Sequence, residues 1–312
     1  MVLVAVSLAA CGGARRADVN EAVPPDAPSA LVVDTIIEGP ILGQPLRAPY
    51  GAAVDFRGNL YLTEAGNHRL IRFTPDLVPR GEVGGFGGDA GLLDRPGFVT
   101  VDNGLTLLVA DRGNLRLVRY NATLTYVNEI SLLDFDDIGE FGEPSGVALS
   151  NYGEIWVADR DRNRLAVFDN VNKFERYIAE YGYSGGQVSV PEKLVETADG
   201  GFYVCDAGNG RISLYDQYGN YVRSLGHGKV GYVVAAAVDK SRGLWVLDGE
   251  LGRLLFLTTS GRILFETSSQ ITGLDRPLKG ATDIELLSDG RLLVVDSGNN
   301  RLIVCRILTN DQ

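Results

Sequence analysis

Leu60-Tyr61-Leu62-Thr63-Glu64 passes through the turn Ala65-Gly66-Asn67-His68 into Arg69-Leu70-Ile71-Arg72-Phe73. Two short apolar and aromatic runs joined by a Gly/Asn turn have the pattern of a β-hairpin. The acid before the turn and the arginine five positions later recur along the chain. The acids are Glu64, Asp111, Asp159, Asp206, Asp248 and Asp296, followed by Arg69, Arg116, Arg164, Arg211, Arg253 and Arg301. By subtraction the acids lie 47, 48, 47, 42 and 48 residues apart. A period in the forties, with several short strands per unit, belongs to propeller blades. Six repeats predict an all-β, six-bladed β-propeller.

The first unit carries the turn Gly58-Asn59-Leu60-Tyr61, followed by Ala65-Gly66-Asn67-His68-Arg69. Asp206-Ala207-Gly208-Asn209-Gly210-Arg211 and Asp296-Ser297-Gly298-Asn299-Asn300-Arg301 repeat the second half. This unit resembles the NHL repeat, and the resemblance covers residues 31–308. The fifth unit departs most, with no proline before its first strand and a shorter period. The sixth ends near Leu308 without a fourth strand, whereas Leu31-Val32-Val33-Asp34-Thr35-Ile36-Ile37 supplies a strand with no unit of its own. The N-terminal strand is therefore expected to complete the last blade and hide the open edges of the array.

An Asp at a strand end accepts backbone N–H groups and fixes a turn. Because the acid–arginine pair occurs in every unit, it is read as the device that sets the blades; chemistry is expected where the units differ. The Gly-rich stretches 84–88, 182–186 and 226–231 lack the spacing of a phosphate loop and are read as linkers between blades.

The residues that open the first strand of each unit should converge at the mouth of the central channel. They read Tyr50, Gly97, Ser145, Glu192, Val234 and Thr282, followed by Gly51, Phe98, Gly146, Lys193, Ala235 and Asp283. Tyr50, Phe98, Ser145, Glu192, Lys193 and Asp283 are the candidate ligand-binding residues, with Tyr181, Tyr183 and Tyr232 as further aromatics near that face. A divalent cation needs several oxygen or imidazole ligands close together. The ring offers Glu192 and Asp283 beside the opposing charge of Lys193, and the two histidines, His68 and His227, occupy non-equivalent positions. Propeller lyases and lactonases that resemble this fold use metal centres with richer ligand sets. No Gly-x-Ser-x-Gly elbow is present. No catalytic set, metal site or cofactor is expected; calcium or zinc belongs only to the alternative reading, a metal-dependent propeller lyase or lactonase acting at the channel.

A formal net charge of −11 argues against a general affinity for nucleic acid. The apolar start running into Leu8-Ala9-Ala10-Cys11-Gly12 resembles a bacterial lipobox, which implies acylation of Cys11 and removal of what precedes it. Residues 1–11 are assigned to signal peptide and lipobox, 12–30 to a tether poor in hydrophobic periodicity, and 31–308 to the propeller. Cys205 and Cys305, in apolar runs of different units, are read as free buried thiols. The expectation is a monomeric, lipid-anchored protein of the bacterial envelope, outside the cytoplasm. It would be a non-catalytic scaffold binding a protein, peptide, glycan or envelope polymer on one propeller face.

Overall fold

The computed structural model describes residues 23–102, 106–133, 141–239, 242–267 and 271–310. The lipobox with Cys11, and most of the expected tether, lie outside these residues. Among the described residues, six four-stranded antiparallel sheets form six blades. Their inner strands are Pro49–Val54, Pro96–Asp102, Pro144–Leu149, Pro191–Glu196, Val233–Asp239 and Asp283–Leu286. Each inner strand contacts the next, and the sixth returns to the first, so the ring closes around a central channel. The inner strands begin at what we term the upper face, together with the acid–arginine turns and the Gly-rich linkers. They end at the lower face, in turns such as those at Asp55-Phe56-Arg57 and Asn151-Tyr152-Gly153.

Closure follows the scheme expected from the sequence. Blade 6 has the order Pro28–Glu38, Arg301–Thr309, Leu292–Asp296, Asp283–Leu286, so its outermost strand comes from the N-terminus. Val33 lies opposite Cys305 and Glu38 opposite Arg301. The strand starts ahead of the expected boundary at Leu31. The strand Arg301–Thr309 extends far enough to pair Thr309 with Pro28, and Ala27 is buried beside it with its carbonyl accepting from the Asn310 amide.

The repeating acid and arginine face each other across adjacent strands in all six blades. Arginine Nε donates to the carboxylate, at 2.8 Å for Arg116–Asp111 and 2.7 Å for Arg301–Asp296. The same carboxylate accepts a backbone N–H from the linker before its own inner strand: Arg47, Asp94, Gly142, Ser189, Gly231 or Lys279. Arginine Nη atoms then bind linker carbonyls, as Arg116 does with Gly88 and Leu92, and Arg211 with Tyr183 and Ser184. A buried ion pair holds its place only when its remaining donors and acceptors are filled. In blades 2 and 4 the linker fills them, so one charged pair fixes both the turn and the path into the blade, whereas Arg69 Nη2 in blade 1 has no hydrogen-bond partner among the described residues.

The residue before each arginine completes the device. His68, Leu115, Asn163, Gly210, Gly252 and Asn300 all adopt positive φ, between 49° and 59°. Glycine and asparagine tolerate this region, whereas a leucine pays roughly 1–2 kcal/mol there. Leu115→Gly should therefore stabilise the protein by about 0.5–1 kcal/mol after glycine's own entropic cost. Thermal unfolding followed by circular dichroism would check this, with Leu115→Ala as the control that should gain nothing.

Apolar residues of neighbouring blades interlock between the sheets. Trp156 of blade 3 lies 4.2 Å from the ring of Phe202 in blade 4, and Trp245 and Leu31 join Ile303 and Cys305 between blades 5 and 6. Cys205 and Cys305 are free and buried, as the sequence indicated. Glycine matters where inner strands converge. A Cβ on Gly146 would lie 2.1 Å from the Glu192 carbonyl oxygen, so only glycine lets blade 4 approach so closely.

Candidate functional site

The upper mouth of the channel holds a cavity of about 560 Å³, off-centre toward blades 4 to 6. Its walls include Tyr50, Arg160, Glu192, Tyr232, Glu250 and Thr282. A volume of this order falls within the usual range of ligand pockets, roughly 300–1,000 Å³. Glu192 is almost wholly buried at 3% exposure. Its Oε1 accepts from Arg160 Nε at 2.9 Å and from the Tyr232 hydroxyl at 3.2 Å. Its Oε2 has no hydrogen-bond partner among the described residues. Burial raises the Glu192 carboxyl above the ordinary carboxylate value, outweighing the opposing pull of Arg160 and Arg112.

Tyr50 flanks the same cavity. The Arg112 guanidinium sits 4.5 Å above its ring, and Phe98 packs edge-on at 5.3 Å. Arg112 is held in turn by Glu143. Burial pushes the Tyr50 hydroxyl well above the usual tyrosine range, so it stays a neutral donor. The site is thus a set of aromatic walls around donors and acceptors whose positions are fixed by ion pairs from blades 2, 3 and 4.

Below this mouth a second charged group spans the channel. Lys193 Nζ donates to Asp283 Oδ1 at 2.7 Å, to the Ile284 carbonyl at 2.9 Å and to Glu285 Oε2 at 3.0 Å. Asp283 is fully buried, and its Oδ2 accepts the Ala52 amide at 2.7 Å. This strut ties blade 4 to blade 6 and blade 1. Beyond it, on the lower side, the channel holds a cavity of about 160 Å³.

The candidate residues therefore separate. Tyr50 and Glu192 meet at the upper cavity. Phe98 is not the exposed aromatic that the sequence suggested: at 2% exposure it is packing behind Tyr50. Ser145 is fully buried and donates to the Pro191 carbonyl at 2.7 Å, so it ties two inner strands and does not face a ligand. Lys193 and Asp283 pair with each other across the channel. Tyr232 is half-buried at Glu192, while Tyr181 and Tyr183 are exposed on the linker between blades 3 and 4, hydroxyls 2.7 Å apart. Among the described residues, no group of three or more His, Cys, Asp or Glu is placed to hold a metal ion. His68 binds the Arg95 amide, and His227 lies exposed in a linker.

Arg112 and Arg160 were absent from the candidate residues. Both occupy the position directly after the repeat acid, which reads Ala65, Arg112, Arg160, Ala207, Gly249 and Ser297 around the ring. Four blades place a small residue there, and two adjacent blades aim a guanidinium at the mouth. That break in symmetry was present in the sequence.

One stretch of the chain matches a known repeat. The profile of the NHL repeat matches residues 141–168, the first three strands of blade 3 with Glu143, Ser145 and Arg160. The chain is a six-bladed propeller, and its third unit matches the NHL repeat. Two curated relatives align over 128 residues each: protein brain tumor of Drosophila melanogaster at 27% identity, and the B-box type zinc finger protein ncl-1 of Caenorhabditis elegans at 32%. Each alignment covers 40% of this chain but only 12% and 15% of those proteins, so the chain spans a small part of their length. Among solved structures, a streptogramin B lyase superposes with a TM-score of 0.64 over 88% of this chain and 98% of its own, at 14% identity. A catalytically inactive virginiamycin B lyase from Staphylococcus aureus, crystallised with quinupristin, gives 0.62 over 88% of each chain at 17% identity. At these identities the propeller shares a fold with the two lyases, and the likeness carries no further.

Proposed function

We propose that this NHL propeller is a non-catalytic scaffold, anchored outside the bacterial cytoplasm through Cys11, that binds a polypeptide partner at the upper mouth of its channel. The cavity walled by Tyr50, Arg160, Glu192 and Tyr232 carries the reading. Tyrosine and arginine in a walled pocket are the residue types that concentrate binding energy in protein interfaces. They come from blades that break the six-fold pattern, as a recognition surface requires and a blade-setting device does not. Glu192, with one oxygen unpaired, adds a fixed acceptor for a donor on the partner.

Capture from envelope extracts tests this with the acylated protein and its variants. Tyr232→Ala and Arg160→Gln, each checked for native circular dichroism, should reduce recovery of the partner at least tenfold. Tyr152→Ala, on the lower face, should leave it unchanged. Loss of the partner with Tyr152→Ala alone would overturn the assignment to the upper mouth.

A further inference from the structure

The direction of the N-terminal strand orients the propeller relative to whatever holds its N-terminus. Pro28–Glu38 runs antiparallel to Arg301–Thr309, which descends from an acid–arginine turn on the upper face. Pro28 therefore lies at the lower face and Glu38 at the upper. Two contacts place the entering chain there. The Asn310 amide donates to the Ala27 carbonyl at 3.3 Å, and Arg242, in the turn that follows the inner strand of blade 5, donates to the Asp26 carbonyl at 3.4 Å.

We propose that the lower face is the membrane-facing side of the protein, so that the cavity at the upper mouth is presented away from the bilayer. This rests on the acylation of Cys11 included in the proposed function. Thirteen residue steps separate Cys11 from Pro24, by subtraction. Fully extended they reach at most about 45 Å. Turning the upper face to the bilayer would require this segment to climb the blade, whose strands of six residues alone span roughly 20 Å. Seating the lower face requires no climb.

The lower face suits an interfacial position. Its turn tips expose Phe56, Tyr152, Val171 and Tyr218, and the Tyr152 hydroxyl donates to Gln217 at 3.1 Å, joining turns of blades 3 and 4. Tyrosine and phenylalanine rings at headgroup level gain from burying an apolar body while keeping a polar edge wet. Apolar exposure by itself does not choose a face, because Phe86, Tyr181 and Tyr183 are exposed on the upper one. The entry point of the chain makes the choice. The net charge of −11 supplies no attraction to anionic lipid, so the anchor and these turns carry the contact.

The experiment uses the full acylated chain in phosphatidylcholine vesicles containing a headgroup quencher. A fluorophore is attached at Tyr218→Cys or Val171→Cys on the lower face, or at Tyr183→Cys on the upper. Cys205 and Cys305 are buried, which directs the label to the introduced thiol. Quenching at the two lower positions should be at least twofold stronger than at Tyr183→Cys. Equal quenching, or the reverse order, in protein that floats with the vesicles overturns the orientation and leaves the binding site intact. Protein that fails to float overturns the anchor on Cys11, and the orientation with it.

Discussion

Lys193→Met should lower the stability of the folded propeller by about 3–5 kcal/mol at pH 8, the cost of removing one partner from a buried ion pair. Urea unfolding followed by tryptophan fluorescence measures it. Methionine keeps nearly the same length, so the expected loss is electrostatic and owes little to a cavity. What it leaves behind is Asp283, fully buried, with the partly exposed Glu285 on its lower side. Asp283 would retain the amides of Ala52 and Ile284 and lose the ammonium that pairs with it. The double variant with Asp283→Asn removes the stranded charge as well and should recover at least half of the loss.

The pH dependence gives this prediction a signature that a packing defect would not show. In the native protein, burial raises the Asp283 carboxyl to about 6 even though Lys193 pulls it down. Between the ordinary carboxylate value and pH 6 the folded state therefore holds this proton more tightly than the unfolded chain. The contribution of Asp283 to stability accordingly falls as pH rises through that window. Lys193 behaves in the opposite range. Burial opposes its charge, but Asp283 and Glu285 outweigh burial and hold the ammonium above the usual lysine value. Its contribution is present throughout neutral pH and is lost only above the ordinary lysine range. Without Lys193 the Asp283 window extends upward, so the deficit of the variant should be smallest near pH 5 and grow toward pH 8. A deficit of the same size at both values would show that the strut contributes shape and no charge.

This strut marks the limit of what the sequence exposes. The spacing of the acids fixed the number of blades, and the unpaired strand near Leu31 indicated how the ring closes, because both are periodic features of local sequence. Lys193 and Asp283 were aligned correctly at the channel, yet their pairing is a fact about the ring. They are distant in sequence and meet only because blades 4 and 6 face the same narrow space. Phe98 failed for a related reason. Its neighbour Gly51 brings two inner strands so close that a Cβ there would lie 2.7 Å from the Phe98 Cα, and no single-strand pattern reveals that closeness. Arg112 and Arg160 stand differently. Their position beside each repeat acid was in plain view, and comparing that column across the blades would have found them.

Deleting residues 28–38 should abolish the monomeric propeller altogether. The strand covers the whole outer edge of Arg301–Thr309, and its loss would strand a row of backbone donors and acceptors that pair intermolecularly when exposed. Leu31, at 2% exposure, packs with Trp245, Ile271 and Ile303, while Ile37 packs against the cluster of Leu302 and Val304. Burial of one such side chain contributes about 1.5–3 kcal/mol. The two side chains and the lost ladder together approach the 5–15 kcal/mol that separates most folded domains from their unfolded chains. Light scattering after size exclusion should show oligomers or aggregate, against a single monomeric peak expected for the parent. Adding a synthetic peptide of residues 28–38 should restore the monomer, because the strand acts by pairing and its covalent link to the ring is dispensable for that. A truncated protein that stays monomeric and melts like the parent would mean that three strands suffice for blade 6, and that the N-terminal strand serves only to set where the tether leaves the ring.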